Sequence, residues 1–501
     1  MMVLSERKKY LLATIVVLVF AFLLQYLQEY RFYAKEAEHL WLNDWMWIEM
    51  HLYRPGGFVQ VLTSFFTQFF QFWGIGTITL SLLFGLAIFL CMNIGKSFRM
   101  NDCFATFWTL PLVFMALCNE HSYFNLKGHF ALAISLLLAC LYLRFFRSRS
   151  IAVWTRILTV IIIISLGYLL VGSAVLVTTV VILLFELLLN KNWLASFASV
   201  LTFVLCAGFA VKVKYFIDME YAMTPLQYYE WPATYFFPLY TWFSVPLILL
   251  IGKWLSKEYT KTIHFSILCC GILVSVISFV NMYSIVHNEK VYQQRKDEWM
   301  VRNEDWDGII DAHKTCEEPT PFISYLNLAL AKKGELVKRM SEFKPYILWS
   351  EEAKMYSPVL MTHDELSRDA LKLQSCVFMN WGGMALANAQ KSAFEASLLT
   401  PGDTDPVELQ RLIITNSVFN TQETAEKYQR RLAKTSFYKD ELLSKQVLQK
   451  KVEDYKKTLP EEDSFYMKTQ IGKMLHDIVV QTPDNKIAAK FYEAYLLQPH
   501  A

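Results

Sequence analysis

Residues 151–189 read IAVWTRILTVIIIISLGYLLVGSAVLVTTVVILLFELLL, and Arg156 and Glu186 are the only charged side chains among them. A helix needs about 20 mostly apolar residues to cross a bilayer, because lipid offers the backbone no hydrogen-bond partners. The stretch is long enough for two crossings, 153–171 and 173–189, joined by Gly172 alone; a tight re-entrant hairpin is the alternative reading. Glu186 lies near one end, where its side chain is expected to reach the headgroups. Seven further runs have the same character: 10–28, 73–94, 102–118, 129–146, 193–211, 236–254 and 263–285. The run at 10–28 follows Arg7, Lys8 and Lys9, but no small-residue cleavage site comes after it, so it reads as a span and not as a signal peptide. The expected class is all-α, with a polytopic membrane domain of about nine spans over residues 1–286.

Charge divides the chain at the end of the last run. Residues 1–286 hold 19 Lys and Arg against 13 Asp and Glu, whereas residues 287–501 hold 29 against 32. An apolar, weakly basic part therefore precedes a charge-rich, near-neutral one. This partition excludes a single soluble enzyme fold, a disordered chain and a low-complexity protein. Neither part is basic enough for a nucleic-acid partner; the expected partner of the first part is the lipid bilayer. Seven of the nine cysteines fall in apolar runs, and only Cys316 and Cys376 lie in the polar part. No CxxC or HExxH spacing occurs, so no metal site is expected. Phosphate-binding glycine loops and a GxSxG elbow are also missing.

Short loops set the orientation. Loops on the N-terminal side carry twelve Lys and Arg, among them Arg7, Lys96, Arg144 and Lys253; the opposite loops carry six, namely Arg31, Lys35, Arg54, Lys127, Lys212 and Lys214. The expected location is a bacterial inner membrane. The N-terminus is then cytoplasmic, and nine crossings leave residues 287–501 in the periplasm.

Three loops on the far side concentrate polar chemistry. Residues 29–72 hold Trp41, Trp45, Trp47, Phe65, Phe66, Phe69 and Phe70. They read as two amphipathic helices on the membrane surface, broken at Arg54-Pro55-Gly56-Gly57. Asp44, Glu49, His51 and Arg54 lie in this loop; paired carboxylates at a membrane surface suit a general base and a metal ligand. The second loop carries Glu120, His121, Lys127 and His129. The third carries Asp218, Glu220, Glu230 and Trp231. The candidate catalytic residues are Asp44, Glu49, Glu120 and His121, and the candidate substrate-binding residues are Arg54, Lys127, Glu230 and Trp231.

From residue 287 onward the pattern is one of short helices with short turns. Phe394-Glu395-Ala396-Ser397-Leu398-Leu399-Thr400-Pro401 matches Tyr492-Glu493-Ala494-Tyr495-Leu496-Leu497-Gln498-Pro499, close to three units of about 33 residues. Residues 287–501 therefore read as a soluble helical-repeat domain, similar to a degenerate tetratricopeptide array. Such arrays offer concave surfaces to partner proteins.

Two family resemblances follow. The loop with Asp44 resembles the first external loop of GT-C membrane glycosyltransferases, with Asn43-Asp44 standing where that class often carries paired acids. This implies a polyprenyl-linked sugar donor, Asp44 as base, and Mg²⁺ or Mn²⁺ as cofactor. Arg54-Pro55-Gly56-Gly57-Phe58, the run Phe65-Phe66-Thr67-Gln68-Phe69-Phe70 and the Asn119-Glu120-His121-Ser122-Tyr123 turn resemble a family of polytopic bacterial envelope proteins of unknown function. That resemblance covers most of the chain and implies architecture and location. Two functions compete: a scaffold or assembly factor in envelope biogenesis, with periplasmic protein partners on the helical domain, and a GT-C-like transferase.

Overall fold

The computed structural model describes residues 6–120, 124–147, 152–229, 236–256, 259–314, 323–343, 365–400, 405–441, 445–459 and 471–497. Among the described residues there are no strands, only two isolated bridges, Leu42 with Thr435 and Phe124 with Tyr229. The chain forms two compact units. The first comprises Met1–Glu29 and Asp44–His287, and the second Tyr30–Asn43 and Asn288–Ala501.

The first unit contains the start of α1 (Glu6–Glu38) and then α2 (Trp45–Leu52), α3 (Gly57–Thr67), α4 (Ile75–Ser97), α5 (Thr109–Glu120), α6 (Lys127–Phe146), α7 (Val153–Val171), α8 (Val175–Leu188), α9 (Trp193–Lys212), α10 (Met219–Met223), α11 (Phe236–Trp254) and α12 (Lys261–Val286). Eight stretches are long and apolar enough to cross a membrane: Thr14–Glu38, Ile75–Ser97, Asp102–Glu120, Lys127–Phe146, Val153–Leu188, Trp193–Lys212, Phe237–Trp254 and Lys261–Val286. The protein is a multi-pass membrane protein. The runs 153–171 and 173–189 fall within one of these eight stretches, as two helices joined by a single 3-10 turn, Gly172–Ala174.

That stretch is bent back on itself. Arg156 Nη1 donates to Glu186 Oε1 at 2.7 Å, and the same oxygen accepts from the Tyr142 hydroxyl at 2.9 Å and from Asn190 Nδ2 at 3.0 Å. In one straight helix Arg156 and Glu186 would lie about 45 Å apart. The reversal falls at Gly172, whose φ of 68° and ψ of −142° belong to a region that only glycine occupies without strain. Glu186, expected at the headgroups from its position in the run, instead turns into the bundle. It is fully buried, because a carboxylate inside an apolar bundle persists only beside cations and donors that replace water.

The first helix also exceeds its apolar run. It continues through Glu38, spanning 33 residues and about 50 Å, against about 30 Å of hydrocarbon core. Its last turns, from Tyr30, belong to the second unit. After it the chain breaks between α2 and α3 at the Arg54-Pro55-Gly56-Gly57 segment. At Gly57 any Cβ would collide with the His51 carbonyl, so the turn admits no side chain there. α3 then packs on α6 and α7. The Gly56 N–H donates to the Leu169 carbonyl at 2.9 Å, and Phe66 stacks on Phe130 with ring centroids 5.5 Å apart.

The second unit adds to the end of α1 the helices α13 (Glu289–Arg302), α14 (Trp306–His313), α15 (Ile323–Lys332), α16 (Leu336–Arg339), α17 (Glu365–Trp381), α18 (Ala385–Leu399), α19 (Pro406–Val418), α20 (Gln422–Ala433), α21 (Lys445–Lys456), α22 (Ile471–Gln481) and α23 (Lys486–Leu496). They pair as sequential hairpins: α14 with α15, α17 with α18, α19 with α20, and α22 with α23. The two matching segments of the sequence fall on α18 and α23, the second helix of two of these hairpins. Ala396 and its counterpart Ala494 are both fully buried there. Trp381 closes α17 inside the core, with Phe378 at 5.3 Å and Phe491 at 5.2 Å. It is a packing residue.

The bent stretch makes a direct prediction. Arg156→Leu leaves the Glu186 carboxylate buried without its cation and lowers the stability of the purified protein by about 3–5 kcal/mol. Arg156→Leu with Glu186→Leu removes both charges and recovers most of that loss. Thermal unfolding of the two variants in one detergent checks this; equal losses would contradict it.

Candidate functional site

Most of the residues singled out in the sequence lie in the first unit. Asp44 serves as the N-cap of α2, its Oδ1 accepting from the Met46 N–H at 3.3 Å. Its extended backbone, with φ of −137° and ψ of 117°, is what a capping aspartate adopts. Glu49 is exposed and accepts from the Tyr53 hydroxyl at 3.2 Å, one turn along. The α2–α3 break carries Arg54 out into solvent. His51 sits behind it, its Nδ1 2.8 Å from the Trp47 carbonyl and its ring 4.3 Å from the Trp47 ring. Partial burial pushes the His51 pKa down, and the positive charges of Arg54 and Lys127 push it the same way, against the Trp47 carbonyl. Arg54 and Lys127, both expected to bind substrate, thus share an electrostatic influence on His51.

Glu120 closes α5 and is buried. Its Oε1 accepts from Gln28 Nε2 at 2.7 Å, and its Oε2 lies 2.9 Å from His287 Nδ1. The same His287 nitrogen is 2.9 Å from the Tyr283 hydroxyl, and the two rings stack at 4.7 Å. Next to Glu120, Asn119 Oδ1 lies 2.7 Å from His129 Nε2. Glu120 is therefore engaged on both oxygens by residues 92 and 167 positions away. His121, Glu230 and Trp231 lie outside the described residues. Among the described residues no three His, Cys, Asp or Glu side chains gather as a metal-holding group.

Sequence reasoning missed the densest polar chemistry, which lies inside the second unit. Glu38 Oε1 accepts from Arg368 Nη2 at 2.6 Å and from Arg295 Nη1 at 3.3 Å; its Oε2 accepts from Lys35 at 3.0 Å. Glu36 accepts from the Tyr438 hydroxyl, and Arg302 lies over the Tyr438 ring at 4.8 Å. On α17, Lys372 Nζ donates to Asp405 at 2.8 Å and to Glu298 at 3.1 Å. Burial opposes the Asp405 charge, but Lys372 and the Val407 N–H outweigh it and hold the Asp405 pKa below the usual aspartate value. Composition did mark this part as charge-rich; nothing local told which charges turn inward.

A family model described as "Family of unknown function (DUF6057)" matches residues 6–500. No curated protein and no solved structure matches the chain.

The Lys372–Asp405 pair sets a pH dependence. Because the Asp405 pKa is lowered on folding, its contribution is complete above the ordinary value of 3.8 and is lost as pH falls through the folded value. Lys372→Met removes the largest opposing charge and leaves burial to raise the Asp405 pKa. The Tm gap between wild type and Lys372→Met should therefore be widest near neutrality and shrink as pH falls through the carboxylate range. A gap that stays constant in that range would contradict the assignment.

Proposed function

Because the chain belongs to the DUF6057 family, a family without an assigned activity, we propose its role from its own geometry: a scaffold or assembly factor of the bacterial inner membrane, whose helical-hairpin unit docks envelope proteins in the periplasm. One observation carries this reading. The described carboxylates that a membrane transferase would draw on are already engaged, Asp44 as a helix cap, Glu49 by Tyr53 and Glu120 on both oxygens. The hairpins of the second unit support it further. They resemble a tetratricopeptide-like array, a form suited to holding partner segments. With both arms of Val153–Leu188 counted as crossings, the total is odd, and basic loop charge then leaves the N-terminus cytoplasmic and the hairpins periplasmic.

A second reading draws on Arg54 and Lys127, whose charges both act on His51. Two cations suit the pyrophosphate of a polyprenyl-linked sugar, as a GT-C-like transferase would require, with Asp44 as base.

Proximity cross-linking in cells separates the two. Full-length protein should retain a defined set of envelope proteins that a chain ending at Val286 loses, and Asp44→Asn should leave both that set and the envelope glycans unchanged. Loss of a glycan in Asp44→Asn, with protein level constant, would overturn the scaffold in favour of the transferase.

A further inference from the structure

Within the second unit, α20 and α21 both pack on α19 but barely touch each other. Between them runs an open groove of about 860 Å³. One wall is a single face of α20, with Gln422, Glu426, Gln429, Arg430 and Ala433; the other is α21, with Leu448, Gln449, Val452, Glu453 and Lys456. Ser417 and Asn420 close one end. Leu448 and Val452 rest against the core of the unit, so the groove has an apolar strip between polar rims.

We infer that this groove binds an extended peptide segment of a partner protein, about five residues long, with one basic and one acidic side chain. The inference rests on the scaffold reading above and names its docking site. Length comes first. The α20 wall from Gln422 to Ala433 rises about 16 Å at 1.5 Å per residue, which about five extended residues cover. The rims supply the second argument. Side-chain amides at Asn420, Gln422, Gln429 and Gln449 carry both donors and acceptors, which is what a peptide backbone needs on each side. Charge is the third. Glu426 and Glu453 balance Arg430 and Lys456, so the groove has no net attraction for a nucleic acid or an anionic lipid surface.

Some of these groups are set in place by neighbours. Lys456 Nζ donates to Asn420 Oδ1 at 2.7 Å, and Gln422 Nε2 donates to Glu426 Oε1 at 3.3 Å. The side chains of Arg430 and Glu453 make no hydrogen bond or ion pair among the described residues and are exposed. They are the two groove charges whose side chains no neighbour holds in place: Glu453 takes the occupant's basic side chain and Arg430 its acidic one.

The test uses full-length protein in detergent and a set of fluorescein-labelled pentapeptides, each with one Lys and one Glu in every order and spacing on a Ser/Val background. Anisotropy should show one order, Lys before Glu or the reverse, binding better than the other. The double variant Arg430→Glu with Glu453→Lys should invert that preference, by about fivefold for each exposed pair. Both substitutions are on the surface, so folding is kept. Equal binding of both orders by the wild type, or an order preference that the double variant leaves unchanged, would overturn the groove assignment. Preferential binding of phosphatidylglycerol vesicles, abolished by the double variant, would overturn it too. If the double variant keeps the full cross-linked partner set, the groove fails and the scaffold stands; if the wild type has no such set, the scaffold itself fails.

Discussion

Glu38 ends α1 with a carboxylate that water hardly reaches, and a buried carboxylate persists only where cations take over from its hydration. Arg368, Arg295 and Lys35 do so here, two of them from positions 330 and 257 residues along the chain. Glu36 accepts from the Tyr438 hydroxyl and pairs with Arg302 at 3.8 Å. Backbone pairing completes the seam, with the Asn43 N–H donating to the Lys434 carbonyl at 2.7 Å and Leu42 bridging Thr435. Residues 30–43 are therefore a structural part of the second unit, although they precede nearly all of the first in sequence. Such pairs add little net stability over an apolar core, but removing one partner is costly. Their chief effect is to dictate which segments meet.

The same device recurs at smaller scale. Arg156 and Glu186 close the bent stretch in the first unit, and His287 with Gln28 closes on Glu120. In each case an ionisable group lies where apolar packing alone would leave the register of two helices open. Among the described residues, Asp44 caps α2, Glu49 accepts from Tyr53, and Glu120 holds Gln28 and His287.

Much of the fold was legible because it is local. Runs of about 20 apolar residues mark spans, Arg54-Pro55-Gly56-Gly57 marks the break between α2 and α3, and the paired Phe394 and Tyr492 segments both fall on helices. What could not be read depends on distant partners. The apolar run of α1 ends near Gln28, so nothing local shows that the helix continues through Lys35 and Glu38; their burial is fixed by Arg295 and Arg368. Glu186 looked like a residue at a membrane edge because Arg156 stands thirty positions away and is brought to it only by the reversal at Gly172. Glu120 stands out in sequence as a loop carboxylate, yet His287, its partner, reads only as the first residue of the polar part, 167 positions away. At the groove, Arg430 and Glu453 sit in ordinary charged helices, and only the gap between α20 and α21 sets them apart.

The account turns on residues 30–43 being folded into the second unit through Glu38. Hydrogen exchange on the full chain carrying Glu38→Ala tests this most directly. Amides of α17 and α13, which carry Arg368 and Arg295, should lose protection together with those of residues 30–38, while α4 and α6 keep theirs. Unchanged protection in α17 and α13 would contradict it.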